Sequence, residues 1–123
     1  MGAWSYEVLS NDRALDTMWD LVDSKNLKED IIKLIENGDT DEKVLACEIV
    51  DISINGIDEE ILGGLYEHEE FLEKIQNDPM TGLRLKAFET IRYVQKHDGG
   101  WIDKVKEQRV DLLRKIENRL ISD

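Results

Sequence analysis

Residues 39–56 read DTDEKVLACEIVDISING, and this stretch decides the fold. Asp39 or Thr40 can cap a helix, because a side-chain oxygen can accept hydrogen bonds from the first-turn N–H groups, and Gly56 can end it. The positions between are mostly apolar and leave only a narrow polar strip, formed by Asp41, Glu48, Asp51 and Asn55. A helix that is apolar around most of its circumference belongs in the centre of a domain. The β-branched density also permits a strand over 49–54, but the caps and the length favour a helix.

Similar patterns on both sides of this stretch predict further helices. Asn26 and Glu29 resemble a reciprocal cap, and an apolar face then continues as far as Asn37-Gly38. Asp78-Pro79 is a typical helix start, because the missing N–H of proline is no loss at the first helical position. Including the central one, the predicted helices span approximately 11–23, 27–37, 40–55, 58–78, 79–97 and 101–120, and Gly63-Gly64 bends or splits the fourth.

These helices are joined by connections of about two to five residues, which favours antiparallel neighbours. The sequence therefore predicts an all-α fold, a compact bundle or short stack of five to seven antiparallel helices, preceded by an extended arm over residues 1–10. All 123 residues form a single domain in this prediction. The tryptophans are expected in the core: Trp4, Trp19 and Trp101.

Composition restricts the cellular setting. A single cysteine cannot form an internal disulfide, and no charged start followed by an apolar run is present, so we expect a cytoplasmic protein without a membrane anchor. The Met-Gly start does not complete a myristoylation pattern, because Tyr6 stands where serine or threonine is required.

The net charge of −12 argues against nucleic-acid binding, because phosphate backbones repel an acidic surface. The charge is also uneven. Residues up to Pro79 include 21 acidic and 6 basic side chains, whereas those from Met80 onward include 7 acidic and 10 basic ones. An acidic first part is thus followed by a mildly basic one.

Four aspartates fall on one side of the first predicted helix: Asp12, Asp16, Asp20 and Asp23. Like charges at this spacing destabilise a helix by about 0.2–0.5 kcal/mol per pair. One explanation is a solvated face, screened by salt or met by Lys104, Lys115 and Arg119 of the last helix. A second is a docking surface for a basic protein. A third is a hard-cation site, although a straight helix presents carboxylates in a row rather than around an ion.

A second acidic region has only Lys74 against it and contains Asp58, Glu59, Glu60, Glu67, Glu69, Glu70 and Glu73. It too can be a solvated face, but two such regions together favour attraction of a basic partner. The predicted partner-binding residues are Asp12, Asp16, Asp20, Asp23, Glu59, Glu60, Glu67 and Glu70.

No motif predicts catalysis, a metal site or a cofactor. His68 lies in EHEE, but neither Glu-x-x-His nor His-Glu-x-x-His is present, and His97 is the only other histidine. Cys47 sits in an apolar, electronegative stretch where a thiol is inert packing. The glycine pairs are not phosphate-binding loops, because no Gly-Lys-Ser/Thr follows either of them.

The opening MGAWSYEVLSNDRALDTMWDLVD resembles an uncharacterised bacterial family of unknown function whose members begin Met-Gly-Ala/Thr-Trp-Gly. The matching positions are Gly2, Trp4, Asn11, Asp12, Ala14, Asp16, Asp20 and Leu21. Residues 46–50 and the tail from Trp101 to Leu120 are also similar to the family, while Ser5 and Leu9-Ser10 depart from it. The resemblance implies a small soluble bacterial protein and assigns no catalytic residue.

These observations favour a non-enzymatic interaction protein, in its sharpest form an immunity-type inhibitor that covers the basic face of a toxin. One alternative is a carboxylate- or metal-dependent enzyme that uses Asp12, Asp16, Glu48 or Asp51. Another is a structural or self-associating domain. The oligomeric state is left open.

Overall fold

The structure, a computed structural model, describes residues 12–56, 69–97 and 103–121. The α-helices in these ranges are α1 (Asp12–Val22), α2 (Leu27–Asn37), α3 (Thr40–Asn55), α4 (Glu69–Gln76), α5 (Arg84–His97) and α6 (Asp103–Ile121), and a short 3-10 helix (Thr81–Leu83) precedes α5. The described residues contain no strand, and 49–54 is helical. The all-α prediction is confirmed. The predicted N-terminal arm and the Gly63-Gly64 bend lie outside the described residues.

Helix α3 is the centre of the fold, as its composition predicts. It packs against each of the other five described helices. Every residue from Val44 to Ser53 is buried, so the helix has no solvent-exposed face along this length. The surrounding helices supply fully buried side chains that include Met18, Ile31, Ile75, Ile91 and Ile116. Each such side chain stabilises the fold by about 1.5–3 kcal/mol relative to its exposed state.

The start of α3 is held by a reciprocal cap. Asp39 Oδ1 accepts a hydrogen bond from the Glu42 backbone N–H at 2.9 Å, and Glu42 Oε1 accepts one from the Asp39 N–H at 3.1 Å. This arrangement satisfies two backbone donors at once. The other oxygen of Glu42, Oε2, accepts a hydrogen bond from the Thr17 hydroxyl at 2.9 Å. The cap of α3 therefore also attaches α1 to it.

The end of α1 is stabilised by a lysine from a distant helix. The last turn of α1 contains no basic residue, although a helix C-terminus attracts positive charge. Lys74 of α4 supplies that charge. Its ammonium donates to the carbonyl oxygens of Leu21 at 3.3 Å, Val22 at 2.9 Å and Ser24 at 2.6 Å.

The C-terminal ends of α2 and α3 also have no basic residue in their last turn, and each receives hydrogen bonds from a basic side chain elsewhere in the chain. Lys43 donates to the Ile35 carbonyl oxygen at 2.6 Å, and Arg119 of α6 donates to the Gly56 carbonyl oxygen at 2.5 Å. Gly56 has a φ of 84° and a ψ of −177°, a backbone conformation that is essentially confined to glycine. Glycine at this position therefore allows α3 to end where Arg119 can reach it.

Two ion pairs fasten α6 to α3. Arg109 Nη2 lies 3.0 Å from Asp41 Oδ1, and Arg119 Nε lies 2.7 Å from Asp51 Oδ2. Both pairs join residues 68 positions apart, so α3 and α6 are parallel. Antiparallel packing was predicted for helices joined by short connections. That argument does not apply to α3 and α6, because they are not consecutive in the chain.

The predicted helix start at Asp78-Pro79 is wrong. Residues 79 and 80 are not helical, and α5 begins at Arg84 after the 3-10 helix. Met80 is fully buried, and its backbone N–H donates to the Ser53 hydroxyl at 3.0 Å. Tertiary contacts with the end of α3 thus hold this segment in a non-helical conformation, against the local start signal.

The prediction that Trp19 lies in the core is also wrong, because 50% of the residue is exposed. Met18 and Leu21 occupy the buried side of α1. At 100° per residue, Trp19 stands 100° away from Met18, at the edge of the apolar arc. Trp4 and Trp101 lie outside the described residues.

We expect Arg119→Ala to lower the free energy of unfolding by about 3–5 kcal/mol, because it leaves the buried Asp51 carboxylate without its main partner. Asp51 is 0% exposed, so its carboxylate depends on partners within the protein. Urea unfolding followed by circular dichroism measures the difference. The matched control is Lys86→Ala, which breaks an exposed pair with Glu36 and should cost less than about 1 kcal/mol. Equal costs for the two variants would contradict this account.

We expect Lys74→Met to destabilise the end of α1 by about 1–2 kcal/mol, because three carbonyl oxygens lose a charged donor while the aliphatic stem is kept. Relative to the wild type, native-state hydrogen exchange in this variant should become faster in α1 and change less in α3. Lys33→Met is the control, since Lys33 is an exposed lysine of α2. Faster α1 exchange in both variants would argue against a specific role for Lys74.

Candidate functional site

Three of the four predicted aspartates are exposed, two on α1 and one in the turn that directly follows it. Asp16, Asp20 and Asp23, which we call the aspartate face, are exposed. Within the described part of the chain their carboxylates make no ion pair and no hydrogen bond. Asp12 begins the helix, but its side chain lies outside the described residues. The structure thus presents three carboxylates to solvent along the second half of α1 and the turn after it.

Two of the cations that could have neutralised this face, Arg119 and Lys74, have other partners. Arg119, expected from its position on the last helix to oppose the aspartates, instead binds Asp51 and the end of α3. Lys74 approaches the same end of α1 as Asp23, but it donates to backbone carbonyl oxygens rather than to that carboxylate. The side chain of Lys104 lies outside the described residues.

The second acidic region is only partly described. Glu70 is exposed on α4 and has no ion pair among the described residues. Lys74, which follows it by one helical turn, is directed to α1 and does not offset the charge of Glu70. Glu59, Glu60 and Glu67 lie outside the described residues, as does His68.

Trp19 adds an aromatic surface beside the aspartate face. It is half exposed and lies three residues after Asp16, so the two side chains are neighbours on the helix surface, and Asp23 follows in the turn after the helix. Sequence reasoning missed this neighbour because it assigned Trp19 to the apolar arc. The angular position of Trp19 at the border of that arc was the signal that could have identified it.

The carboxylates considered for catalysis do not converge in the described structure. Asp16 is exposed, whereas Glu48 is 1% and Asp51 0% exposed. Asp51 is held by Arg119, and its Oδ1 also accepts a hydrogen bond from Asn55 Nδ2 at 2.9 Å. Glu48 Oε1 accepts no hydrogen bond within the described residues, although the residue has another interaction. Residues 12–56, 69–97 and 103–121 contain no group of three histidine, cysteine or acidic side chains suited to a metal ion.

Cys47 is a buried packing residue, as predicted. It is 0% exposed, and its thiol donates to the Ala87 carbonyl oxygen at 3.3 Å. Burial raises the pKa of the thiol far above its ordinary value of 9.0, and the nearby charge of Lys43 lowers it to a smaller extent. The nucleophilic thiolate is therefore suppressed in the folded protein.

We expect Cys47 to be unreactive toward a disulfide reagent such as DTNB in the native protein and to react fully in urea. Because the chain has one cysteine, the absorbance change reports this residue alone. The raised thiol pKa also predicts a pH dependence of the free energy of unfolding. Above pH 9.0, the ordinary pKa of a thiol, Cys47 loses its proton in the unfolded chain but not in the folded protein, so the free energy of unfolding should fall as the pH rises further. Cys47→Ala should reduce this loss of stability, and rapid labelling of the native wild type would contradict the assignment.

The described helices include none that is both long and apolar enough to cross a membrane.

Comparison with known proteins identifies one family. The family model described as Domain of unknown function (DUF4259) matches residues 2–109, which include α1 to α5 and the start of α6. No curated protein and no solved structure matches the chain. Because the match extends over most of the sequence, the chain belongs to the DUF4259 family.

Proposed function

We propose that this protein is a non-enzymatic, acidic interaction protein that binds a basic protein partner through α1. The observation that carries the proposal is the aspartate face, whose three carboxylates are exposed and have no counter-ion in the described part of the chain. In its sharpest form the proposal is an immunity-type inhibitor in the bacterial cytoplasm, which covers the basic surface of a cognate toxin such as a nuclease.

The attachment of α1 to the rest of the fold supports this role. The Thr17–Glu42 hydrogen bond holds the middle of the helix, and the hydrogen bonds from Lys74 hold its end. Met18 and Leu21 bury the opposite side. A partner would therefore meet carboxylates already held in position, which lowers the entropy cost of binding.

The charge of the aspartate face acts mainly on the rate of association. Exposed charges attract an oppositely charged partner over distances close to the Debye length, about 8 Å at physiological salt. The net charge of −12 acts in the same direction. We therefore expect fast association that slows as salt is added.

Trp19 supports a stable contact after encounter. Tryptophan and arginine are enriched among the residues that contribute most to binding energy at interfaces. A cation above an indole ring contributes about 0.5–1 kcal/mol at an exposed site. The half-exposed indole beside Asp16 and Asp23 thus suits an arginine of the partner.

The two alternative functions, a carboxylate- or metal-dependent enzyme and a self-associating domain, have no specific observation in their favour among the described residues. Glu48 and Asp51 are buried within the helical core rather than placed at an open cleft.

The test is capture of partners from the source cell at about 50 and 150 mM salt. The bait is the wild type or the variant Asp16→Asn/Asp20→Asn/Asp23→Asn. The wild type should capture a basic protein, and the variant should associate with that protein about tenfold more slowly at the lower salt, because steering is lost. Stopped-flow kinetics with the purified partner measures the rate.

The control variant is Asp78→Asn/Glu107→Gln/Asp111→Asn, which removes the same number of exposed negative charges outside α1. It should associate at nearly the wild-type rate. Capture of no basic protein at either salt would overturn the proposal, and equal slowing of both variants would show that net charge alone is responsible.

A further inference from the structure

A groove on another part of the molecule is lined by α2 and α5, with Lys43 of α3 contributing to it. Its volume is about 420 Å³, within the range of small-ligand sites. Ile35 and Glu36 line it from α2, and Lys86, Glu89, Thr90 and Tyr93 line it from α5. The lining therefore mixes charged, aromatic and aliphatic side chains.

Most of the charges in this groove already have partners. The Lys43 ammonium donates to the Ile35 carbonyl oxygen at 2.6 Å, at the end of α2. The Lys86 ammonium lies 2.8 Å from Glu36 Oε1. Both lysines and one of the two glutamates are therefore occupied, and Glu89 is the remaining charged group of the lining.

Glu89 is exposed and has no ion pair among the described residues. Each basic residue at helical spacing from it is directed elsewhere. Lys86 pairs with Glu36, while Arg92 Nε lies 3.8 Å from Glu117 Oε2 and its guanidinium carbon lies 5.7 Å from the Phe88 ring centroid. Glu89 thus has no ion-pair partner among the described residues, while the lining as a whole contains two lysines and two glutamates.

Tyr93 stands beside this charge. It follows Glu89 by four residues, so the two side chains are neighbours on the surface of α5. Tyr93 is 53% exposed, and its ring centroid lies 4.2 Å from that of His97. Within the described residues its hydroxyl makes no hydrogen bond. A carboxylate next to an aromatic ring is a favourable arrangement for a planar cation.

We propose that this groove accepts an arginine side chain of the basic partner, an inference that rests on the proposed function. The guanidinium pairs with Glu89 and stacks on Tyr93, while the aliphatic stem of the arginine contacts Ile35. Arginine fits better than lysine, because a planar guanidinium can stack on a ring and pair with a carboxylate at the same time.

The test is an NMR titration of the ¹⁵N-labelled protein with n-butylguanidinium chloride, with sodium chloride added to keep the ionic strength constant. Saturable shifts should appear at the amides of Thr90 and Tyr93, with a dissociation constant on the order of 100 mM, because one exposed ion pair and one ring contact together contribute about 1–2 kcal/mol. Glu89→Gln and Tyr93→Leu should each weaken binding at least about threefold. Glu107→Gln is the control and should bind like the wild type.

Two results would overturn the inference: shifts spread evenly over all acidic positions, or wild-type affinity in Glu89→Gln. Equal affinity for n-butylammonium would overturn the preference for arginine over lysine. Thermal unfolding of each variant shows whether it is folded.

The titration also separates the two proposals. The Asp16→Asn/Asp20→Asn/Asp23→Asn variant should bind n-butylguanidinium as the wild type does, because the groove contains none of these residues. Guanidinium binding without capture of a basic protein would refute the proposed function and leave the groove as a guanidinium site. Capture without guanidinium binding would refute the groove alone.

Discussion

The structure depends on the burial of α3 together with its carboxylates. A helix enclosed by five others can bury aliphatic side chains at a large gain, but a buried carboxylate is stable only with a cation and hydrogen bonds. Arg119 provides both for Asp51, and Arg109 pairs with Asp41 ten residues earlier on the same helix. These contacts determine how α6 lies along α3, because equal spacing on both helices permits only a parallel alignment.

The partners of the basic side chains connect the fold to the proposed function. The sequence up to Pro79 has six basic residues, and two of them, Lys43 and Lys74, stabilise helix ends. Arg119 performs a similar task from α6. Cations used for backbone carbonyls and buried carboxylates are not available to exposed aspartates. The aspartate face has no ion pair among the described residues and is open to solvent or to a partner.

Much of the candidate site could be predicted from the sequence, because it depends on helical periodicity alone. The spacing of Asp16, Asp20 and Asp23 places them on one side of any helix, and the opposite side is apolar enough to be buried. The position of Trp19 could not be predicted in this way, since a residue at the edge of an apolar arc is buried or exposed according to its neighbours. The groove at Glu89 and Tyr93 depends on α2 lying beside α5, which no local pattern specifies.

The sequence by itself determined the helical class, the central place of α3, a cap at Asp39 or Thr40 and the burial of Cys47, because periodicity, capping chemistry and apolar composition act within a few residues. Only the tertiary structure decided which cation meets which anion, as Lys74 and Arg119 act across 50 or more residues. The tertiary structure also decided that α5 begins at Arg84 rather than at Pro79, because the hydrogen bond between Met80 and Ser53 outweighs a local start signal. Long-range pairing follows from how the helices pack, and packing is a property of the whole chain.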